Sequence, residues 1–583
     1  MTPAPATVLT GPALRYVDDR TATVWLEASA PATVRVRAAS SAGTALVSSA
    51  RTFAVRGHHF ALVVLDGLTP GSELSYSVEL DGAPVWPAAG DDRPAPRIRP
   101  HDTGRDVDVV FGSCRIDRPD AEPWSLAHGS HLHAAGIDAL ATLSRAIQAG
   151  ERPLPDLLVL LGDQIYADYR LSPESAPGEL VPAAPGVLLP GGEAITFEEY
   201  AAVYRSAWAQ PDIRWLLATV PSAMIFDDHE VRNNWNVSAS WQREALTSPG
   251  WADQIRSAYA AYWLYQHAGN LSPDALRDEG VWPALTRADP DAGNCDEALW
   301  SFVTRADEAA AENRASPWSY DRQLASSRLV VLDTRSSRVL DESRRSMFTG
   351  GEWDRVDSLL RGDCDHLLVA TSVPLLLHHA QQDAEAWNEA VCRGVFGQRA
   401  ARWAESLRRH ANLDQWGAFQ SSLNRLVGIL GDVAAGRRGA APRTVLVLSG
   451  DVHHAYVAHL AFPRSVGARA PVVQMVCSPF RNQLPLVVRR GLALAGWRPV
   501  RILTRLLARS AGVRRAPFRW TIPTGPMFGN FVASLRLTRD GASLRIDEAV
   551  APATGADRPV LRSRSERTVP GLSRERARAA AAS

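Results

Sequence analysis

The sequence predicts a two-part α/β chain: a small all-β domain over residues 1–100, a large layered α/β domain over residues 104–550 and a tail at 551–583. Three observations predict it. Residues 1–100 alternate apolar and polar positions at period two, as half-buried strands do. Beyond residue 104, short runs that are apolar on both faces alternate with helical stretches, as in sheets covered by helices. Polar clusters follow at least four of those runs, at the strand ends where ligands collect in α/β sheets.

Taken in order, "TATVWLEA", "ATVRVRAA", "HHFALVVL" and "ELSYSVEL" are separated by turn-forming stretches such as "LTPGS", so a fibronectin-like β-sandwich is expected. "WPAAGDDRPAPRIRPHDTG" is rich in Pro, Gly and charge and reads as a linker. The large domain then supplies "VDVVFGSC", the helical "LHAAGIDALATLSRAIQAG", and the strands "DLLVLLGDQIY", "SAMIFDDHE", "RLVVLDTR", "HLLVATSVP" and "TVLVLSGDVHH". Residues 235–330 contain many tryptophans, among them Trp235, Trp241, Trp251 and Trp263, and read as an inserted helical wall whose rings mostly pack. Residues 487–515 carry eight arginines and no acid among leucines and valines. They predict a basic amphipathic helix or helix pair interrupted near Pro499. Packing on the domain with a solvated arginine face is favoured there over weak contact with a membrane surface. The last 33 residues read as a strand exit and a frayed tail.

Composition narrows the function classes. A 46% apolar content over 583 residues suffices for at least one large core. The 63 basic residues, all arginine, balance 63 acidic ones, so no global field calls for nucleic acid. Cys114, Cys295, Cys364, Cys392 and Cys477 are few, odd in number and without CxxC spacing, which indicates neither a disulfide framework nor a zinc ribbon. The start "MTPAPATVLTGPALRY" shows no signal peptide, and no run of about 18 apolar residues occurs. A cytoplasmic protein, at most peripheral to a membrane, is expected.

Four clusters carry chemistry. "FGSCR" ends in Cys114 and Arg115, a thiol beside a guanidinium suited to bidentate phosphate binding. "LLGDQIYAD" offers Asp163, a carboxylate able to bridge two cations, and Tyr166, a phenol able to ligate a hard trivalent one. "MIFDDHEVRNNW" holds Asp227, Asp228, His229, Glu230, Asn233 and Asn234. "LSGDVHHAY" holds Asp451, His453 and His454; adjacent histidines diverge, so at most one of them is a metal ligand. Each cluster alone has a plainer reading, as an inert buried cysteine, a turn aspartate or surface histidines. Together, at the strand ends of one domain, they form a donor set for a binuclear site. "LDTRSSR", with Asp333 and Arg335, reads as a structural ion pair, and "DQWGAF", with Asp414 and Trp416, as a buried Trp beside a helix cap.

The ordered series "GSCR", "GDQIY", "DDHEVRNN" and "SGDVHH", over roughly residues 105–480, resembles the PhoD-type alkaline phosphatases and phosphodiesterases of the calcineurin-like metallophosphoesterase superfamily. The resemblance implies a four-layer αββα metallophosphoesterase sandwich, and metal-dependent hydrolysis of phosphate monoesters or diesters by a hydroxide bridging a binuclear metal centre. It implies ferric iron held by Cys114, Asp163, Tyr166 and His453, and calcium, or another divalent metal, held by Asp163, Asp228 and Asp451 with an amide oxygen from Asn233 or Asn234. Thr371 and Ser372 stand where the superfamily has a further histidine. His229 is expected as the general acid, oriented by Glu230 or Asp227. Arg115 is expected to clamp the phosphate, and Asn234 and His454 to bind substrate. Two alternatives stay open: a diesterase acting on lipid headgroups, polymers or nucleic acid, and a non-catalytic membrane-associated binding protein.

Overall fold

The computed structural model describes residues 5–41, 43, 45–127, 129–131, 133–168, 192–287, 296–552 and 558–572. Each period-two segment forms a strand: Thr21–Ala28, Thr33–Ser40, His58–Asp66 and Leu74–Leu80. They belong to two antiparallel sheets. One runs Val8–Val17, Thr21–Ala28, His58–Asp66, Phe53–Val55; the other runs Ala45–Arg51, Thr33–Ser40, Leu74–Leu80, Ala83–Trp86. Val24, Leu26, Val36, Val63, Val78 and Trp86 meet between them, which makes the expected β-sandwich.

The sandwich leans on the large domain. Trp25 packs edge-on against Trp208 at 5.9 Å and against Tyr265 at 5.3 Å. Beside them Glu27, fully buried, accepts hydrogen bonds from His58 (2.9 Å), from the Tyr265 hydroxyl (2.8 Å) and from Arg205. The expected linker is itself held: Trp215 Nε1 donates to the Pro94 carbonyl (2.7 Å), and Arg97–Ile98 pairs with Leu74–Leu80.

This buried ion pair predicts a pH-dependent stability. Burial opposes ionisation of Glu27, but the hydrogen bonds from His58 and Arg205 win and hold its carboxyl below the ordinary 4.5. Burial likewise opposes charge on His58, and its bonds to Glu27 and Glu198 hold it above 6.5. The Glu27 contribution is therefore full above 4.5 and lost as pH falls through its lowered value. The His58 contribution is full below 6.5 and lost as pH rises through its raised value. Glu27→Gln is expected to cost roughly 3–5 kcal/mol by leaving Arg205 and His58 uncompensated. In urea titrations the difference from wild type should be largest between the ordinary values of 4.5 and 6.5 and narrow on either side.

The large domain stacks two sheets. The first runs Ser222–Met224, Leu157–Leu160, Val107–Gly112, Phe531–Thr538, Gly541–Val550, Val560–Pro570. The second runs Tyr320–Leu324, Ser327–Leu332, His366–Thr371, Thr444–Ser449, Val472–Val476, Ala455–Ala461, Arg519–Met527. Val109, Phe111, Val159, Leu329, Leu368 and Leu446 fill the space between them. Helices Ala139–Gln148, Phe197–Ala209 and Pro211–Thr219 cover the first sheet, and Gly350–Leu359 and Gln420–Ala435 the second. This is the four-layer αββα arrangement. Its inner strands are parallel, so their carboxyl ends share an edge of each sheet.

Three boundaries differ from expectation. The helical insertion runs from Ala239–Thr247 to Asp296–Glu308, and Tyr320–Leu324 and Ser327–Leu332 already belong to the second sheet. The large domain does not end at 550: Val560–Pro570 pairs antiparallel with Gly541–Val550. That segment is charged because it is an edge strand, and edge charge reads as disorder in a sequence. Residues 573–583 and Cys295 lie outside the described residues. Residues 487–515 form a helix pair, Leu486–Ala495 and Arg498–Ser510. Among the described residues no helix is long and apolar enough to cross a membrane.

Candidate metal centre

The donors sit where strands stop. Cys114 follows Val107–Gly112, Asp163 follows Leu157–Leu160, Asp228 and His229 follow Ser222–Met224, and Asp451 and His453 follow Thr444–Ser449. Left-handed backbone marks them. Cys114 (φ 57°), Asp163 (φ 51°), Asp451 (φ 63°) and His453 (φ 52°) all adopt a conformation that side chains disfavour and that persists only when the surroundings enforce it. Gly162 (φ 102°) completes one of these turns, because a Cβ there would lie 2.6 Å from the Asp227 Cβ.

Three donor groups result, each with its ligand atoms within 4.8 Å of one another: Cys114, Asp163 and His453; Asp163, Asp228 and His229; Asp163, Asp227, Asp228 and Asp451. Asp163 belongs to all three. Cys114 Sγ lies 3.3 Å from Asp163 Oδ2 and receives a hydrogen bond from the Ser478 hydroxyl (3.2 Å). The Tyr166 hydroxyl is 3.5 Å from the same Asp163 oxygen and accepts from Asn482 Nδ2 (2.9 Å). The main-chain N–H of Asn234 donates to Asp228 Oδ2 (2.7 Å), which fixes that carboxylate.

Burial and crowded negative charge dominate the electrostatics. Burial pushes the Cys114 thiol well above its usual value, and Asp163 and Asp451 push it further. Burial raises Asp163 well above the carboxylate range against the pull of His229, and brings Asp227 to about 7 and Asp451 to about 6. Burial also lowers His453 to about 3, which keeps its imidazole in the neutral form that ligates metals. Asp163 Oδ1 and Asp227 Oδ2 are buried with no hydrogen-bond partner. Orphaned carboxylate oxygens converging this closely are costly unless a cation satisfies them, and a thiolate, a phenolate, an imidazole and shared carboxylates are a fitting donor set for one. The residues present therefore fit a metal.

Several assignments need correction. Arg115 does not face the donors: it is buried, and its guanidinium donates to Asp138 (2.8 Å), the Ala207 carbonyl (2.9 Å) and Gln210 (2.6 Å). It is thus a brace across two helices, with each of its three nitrogens engaged there and the side chain buried away from a phosphate. His454 points away as well. Its Nδ1 donates to the Val452 carbonyl (2.7 Å), and its ring packs with those of Tyr456 and His378 outside all three donor groups. His229 is not oriented by Glu230 or Asp227 but by Asp168, 2.7 Å from Nδ1. Glu230 instead accepts from the main-chain N–H groups of Gln164 (2.8 Å) and Asp227 (2.9 Å) and ties two site loops together.

Arg335 carries more than a pair with Asp333, to which it gives only its main-chain N–H (2.9 Å). Its guanidinium donates to Asp227 (2.5 Å) and Asp414 and lies 3.3 Å from both Asp228 and Asp451. Asp168 was legible as one more acid in "GDQIYAD", and Asn482 as a polar residue past a strand end. The placement of Arg335 had no local signal.

Known proteins agree with this architecture. Residues 129–278 match the family model described as PhoD-like phosphatase, and residues 5–98 match a domain of unknown function, DUF7800. The chain is similar to the structure of PhoD, with 14% identity and a TM-score of 0.58 over 98% of this chain and 93% of that one. It also matches the purple acid phosphatase PPD1 from yellow lupin (Lupinus luteus) seeds, with 12% identity and a TM-score of 0.45 over 92% of this chain and 72% of that one. No curated protein matches it. The fold is that of the solved PhoD structure. Within it, the chain carries a PhoD-like phosphatase domain.

Proposed function

We propose that the chain is a metal-dependent phosphoester hydrolase of the alkaline phosphatase and phosphodiesterase type, with two cations sharing Asp163. The single observation that carries this reading is the membership of Asp163 in every donor group, with one oxygen lacking a hydrogen-bond partner. Cys114, Asp163, Tyr166 and His453 would hold one cation, and the soft thiolate with the phenolate suits ferric iron. Asp163, Asp228 and Asp451 would hold the second, and oxygen ligands suit calcium. When bound, such a pair supplies a water of lowered pKa and charge neutralisation at the phosphate oxygens.

The protein's own residues do the rest. Asp168 anchors His229 Nδ1, which leaves Nε2 to carry a proton to the departing alkoxide. Burial opposes charge on the imidazole, but Asp168, Asp163 and Asp228 win and raise its pKa well above 6.5, which favours the protonated form that a general acid needs. The Asp228 turn leads into a cleft of about 600 Å³ lined by Arg232, Asn233, Asn234, Trp241, Arg402 and Arg409, a setting suited to an anionic substrate. Asn234, expected to bind substrate, would do so from the lining of this cleft.

The test pairs metal analysis with a leaving-group series of phosphate monoesters and with bis-p-nitrophenyl phosphate for diester turnover. His229→Gln is expected to leave p-nitrophenyl phosphate hydrolysis nearly unchanged, because that leaving group needs no proton. Turnover of an alkyl ester should fall by about 10²-fold, and Asp168→Asn should show the same selectivity more weakly. Unchanged alkyl-ester turnover in His229→Gln would remove the general acid from this scheme. Absence of hydrolysis by the metal-loaded wild type on either ester class would remove the scheme itself.

A further inference from the structure

We propose that residues 486–510 form a docking surface for an anionic lipid bilayer. Of the 17 large apolar side chains exposed anywhere among the described residues, nine fall between Leu486 and Leu507. That concentration in one helix pair is not scattered surface apolarity. Val487 is 80% exposed, Trp497 61%, Ile502 60% and Leu503 58%. Helix Arg498–Ser510 turns one side inward, where Ala508 is buried and Arg505 reaches Asp383 (3.1 Å) on helix His379–Cys392. Ile502, Leu503, Leu506 and Leu507, spaced i, i+1, i+4 and i+5, form the opposite, outward side.

Charge identifies what this side meets. Residues 487–515 hold eight arginines and no acid, and among the described residues only Arg505 of the eight forms an ion pair. Arg498 and Arg509 flank one edge of the apolar stripe by helical periodicity. Apolar side chains bordered by unpaired arginines, with a tryptophan at the break between two helices, suit a surface that is anionic outside and hydrocarbon beneath. A nucleic acid would satisfy the arginines and leave the leucines in water. The patch lies outside the donor groups, so this proposal stands independently of the phosphoester hydrolase reading.

The experiment is co-sedimentation of the full chain with vesicles of phosphatidylcholine containing about 30% phosphatidylserine, at roughly 0.1 M salt, where surface charge still acts. Wild type is expected to sediment with these vesicles and to bind pure phosphatidylcholine at least about tenfold more weakly. Leu503→Glu/Leu506→Glu should abolish sedimentation while leaving thermal unfolding and soluble-ester hydrolysis unchanged, since both side chains are exposed. Arg498→Glu/Arg509→Glu should weaken binding at low salt and make what remains less sensitive to salt than wild type. The proposal is overturned if wild type fails to sediment with anionic vesicles, or if the double leucine variant sediments equally. It is also overturned if that variant merely converts a dimer seen by analytical ultracentrifugation into a monomer without changing vesicle binding, because a second copy would then be the occupant.

Discussion

Asp163→Asn is expected to strip the protein of metal and lower phosphoester turnover by on the order of 10³-fold, about 4 kcal/mol of transition-state stabilisation. Asp163 is shared by the three donor groups, so its loss removes a ligand from each cation position at once. An amide oxygen keeps the shape of the carboxylate but lacks the charge and the second oxygen needed to bridge. The same substitution should leave the metal-free protein as stable as wild type, or more so. Burial, together with Asp227, Asp228 and Glu230, pushes the Asp163 carboxyl well above the ordinary carboxylate range and so favours the neutral form, which Asn imitates. Elemental analysis, steady-state kinetics and chelator-treated thermal melts on one preparation check all three statements. Retention of both metals with lost activity would show that Asp163 acts on the substrate and not as a bridge.

Arg335→Met should be the most damaging substitution outside the ligands, costing roughly 3–5 kcal/mol of stability in chelator-treated protein. Its guanidinium is the shared cation for Asp227, Asp228, Asp414 and Asp451, and removing it leaves four buried carboxyl groups facing one another. The pH dependence has a definite sign. Burial raises Asp227 and Asp451, and Arg335 is what pulls them down to about 7 and about 6, so without it both rise further. A carboxyl with a raised folded-state pKa binds protons more readily in the native state, so stability is lost as pH rises. The variant should therefore lie closer to wild type at pH 5 than at pH 8, and added divalent cation should recover part of the deficit at pH 8. A deficit independent of pH and of cation would mean that the loss is one of packing alone.

The strands were legible because burial on both sheet faces leaves an uninterrupted apolar run, and the candidate donors because they follow those runs directly. Cys114, Asp163, Asp228, Asp451 and His453 could be read by that rule, since their chemistry and position coincide in a few consecutive letters. Arg115 shows its limit. It too follows a strand, but Asp138, which caps helix Ala139–Gln148, captures its guanidinium, and a cap partner 23 residues away leaves no trace beside "GSCR". Asp168 and Arg335 fail for the same reason in reverse: their importance lies in partners brought near by loop conformation and by the meeting of two sheets. The strand Val560–Pro570 was hidden by its charged, solvent-facing residues, which are what an outer edge requires.

The division of the donors between two sheets bears on biosynthesis. Asp163 and Cys114 leave the ribosome early, but the main-chain N–H of Asp451 meets the Ser113 hydroxyl (3.1 Å), and His453 completes the Cys114 group, only after the second sheet exists. A nascent chain arrested before residue 449 should therefore hold an exposed thiol and a crowd of unsatisfied acids without the His453 imidazole that completes the Cys114 group. Metal loading at the proposed centre would thus be a late event in the life of the polypeptide, and its onset would report that both halves have come together.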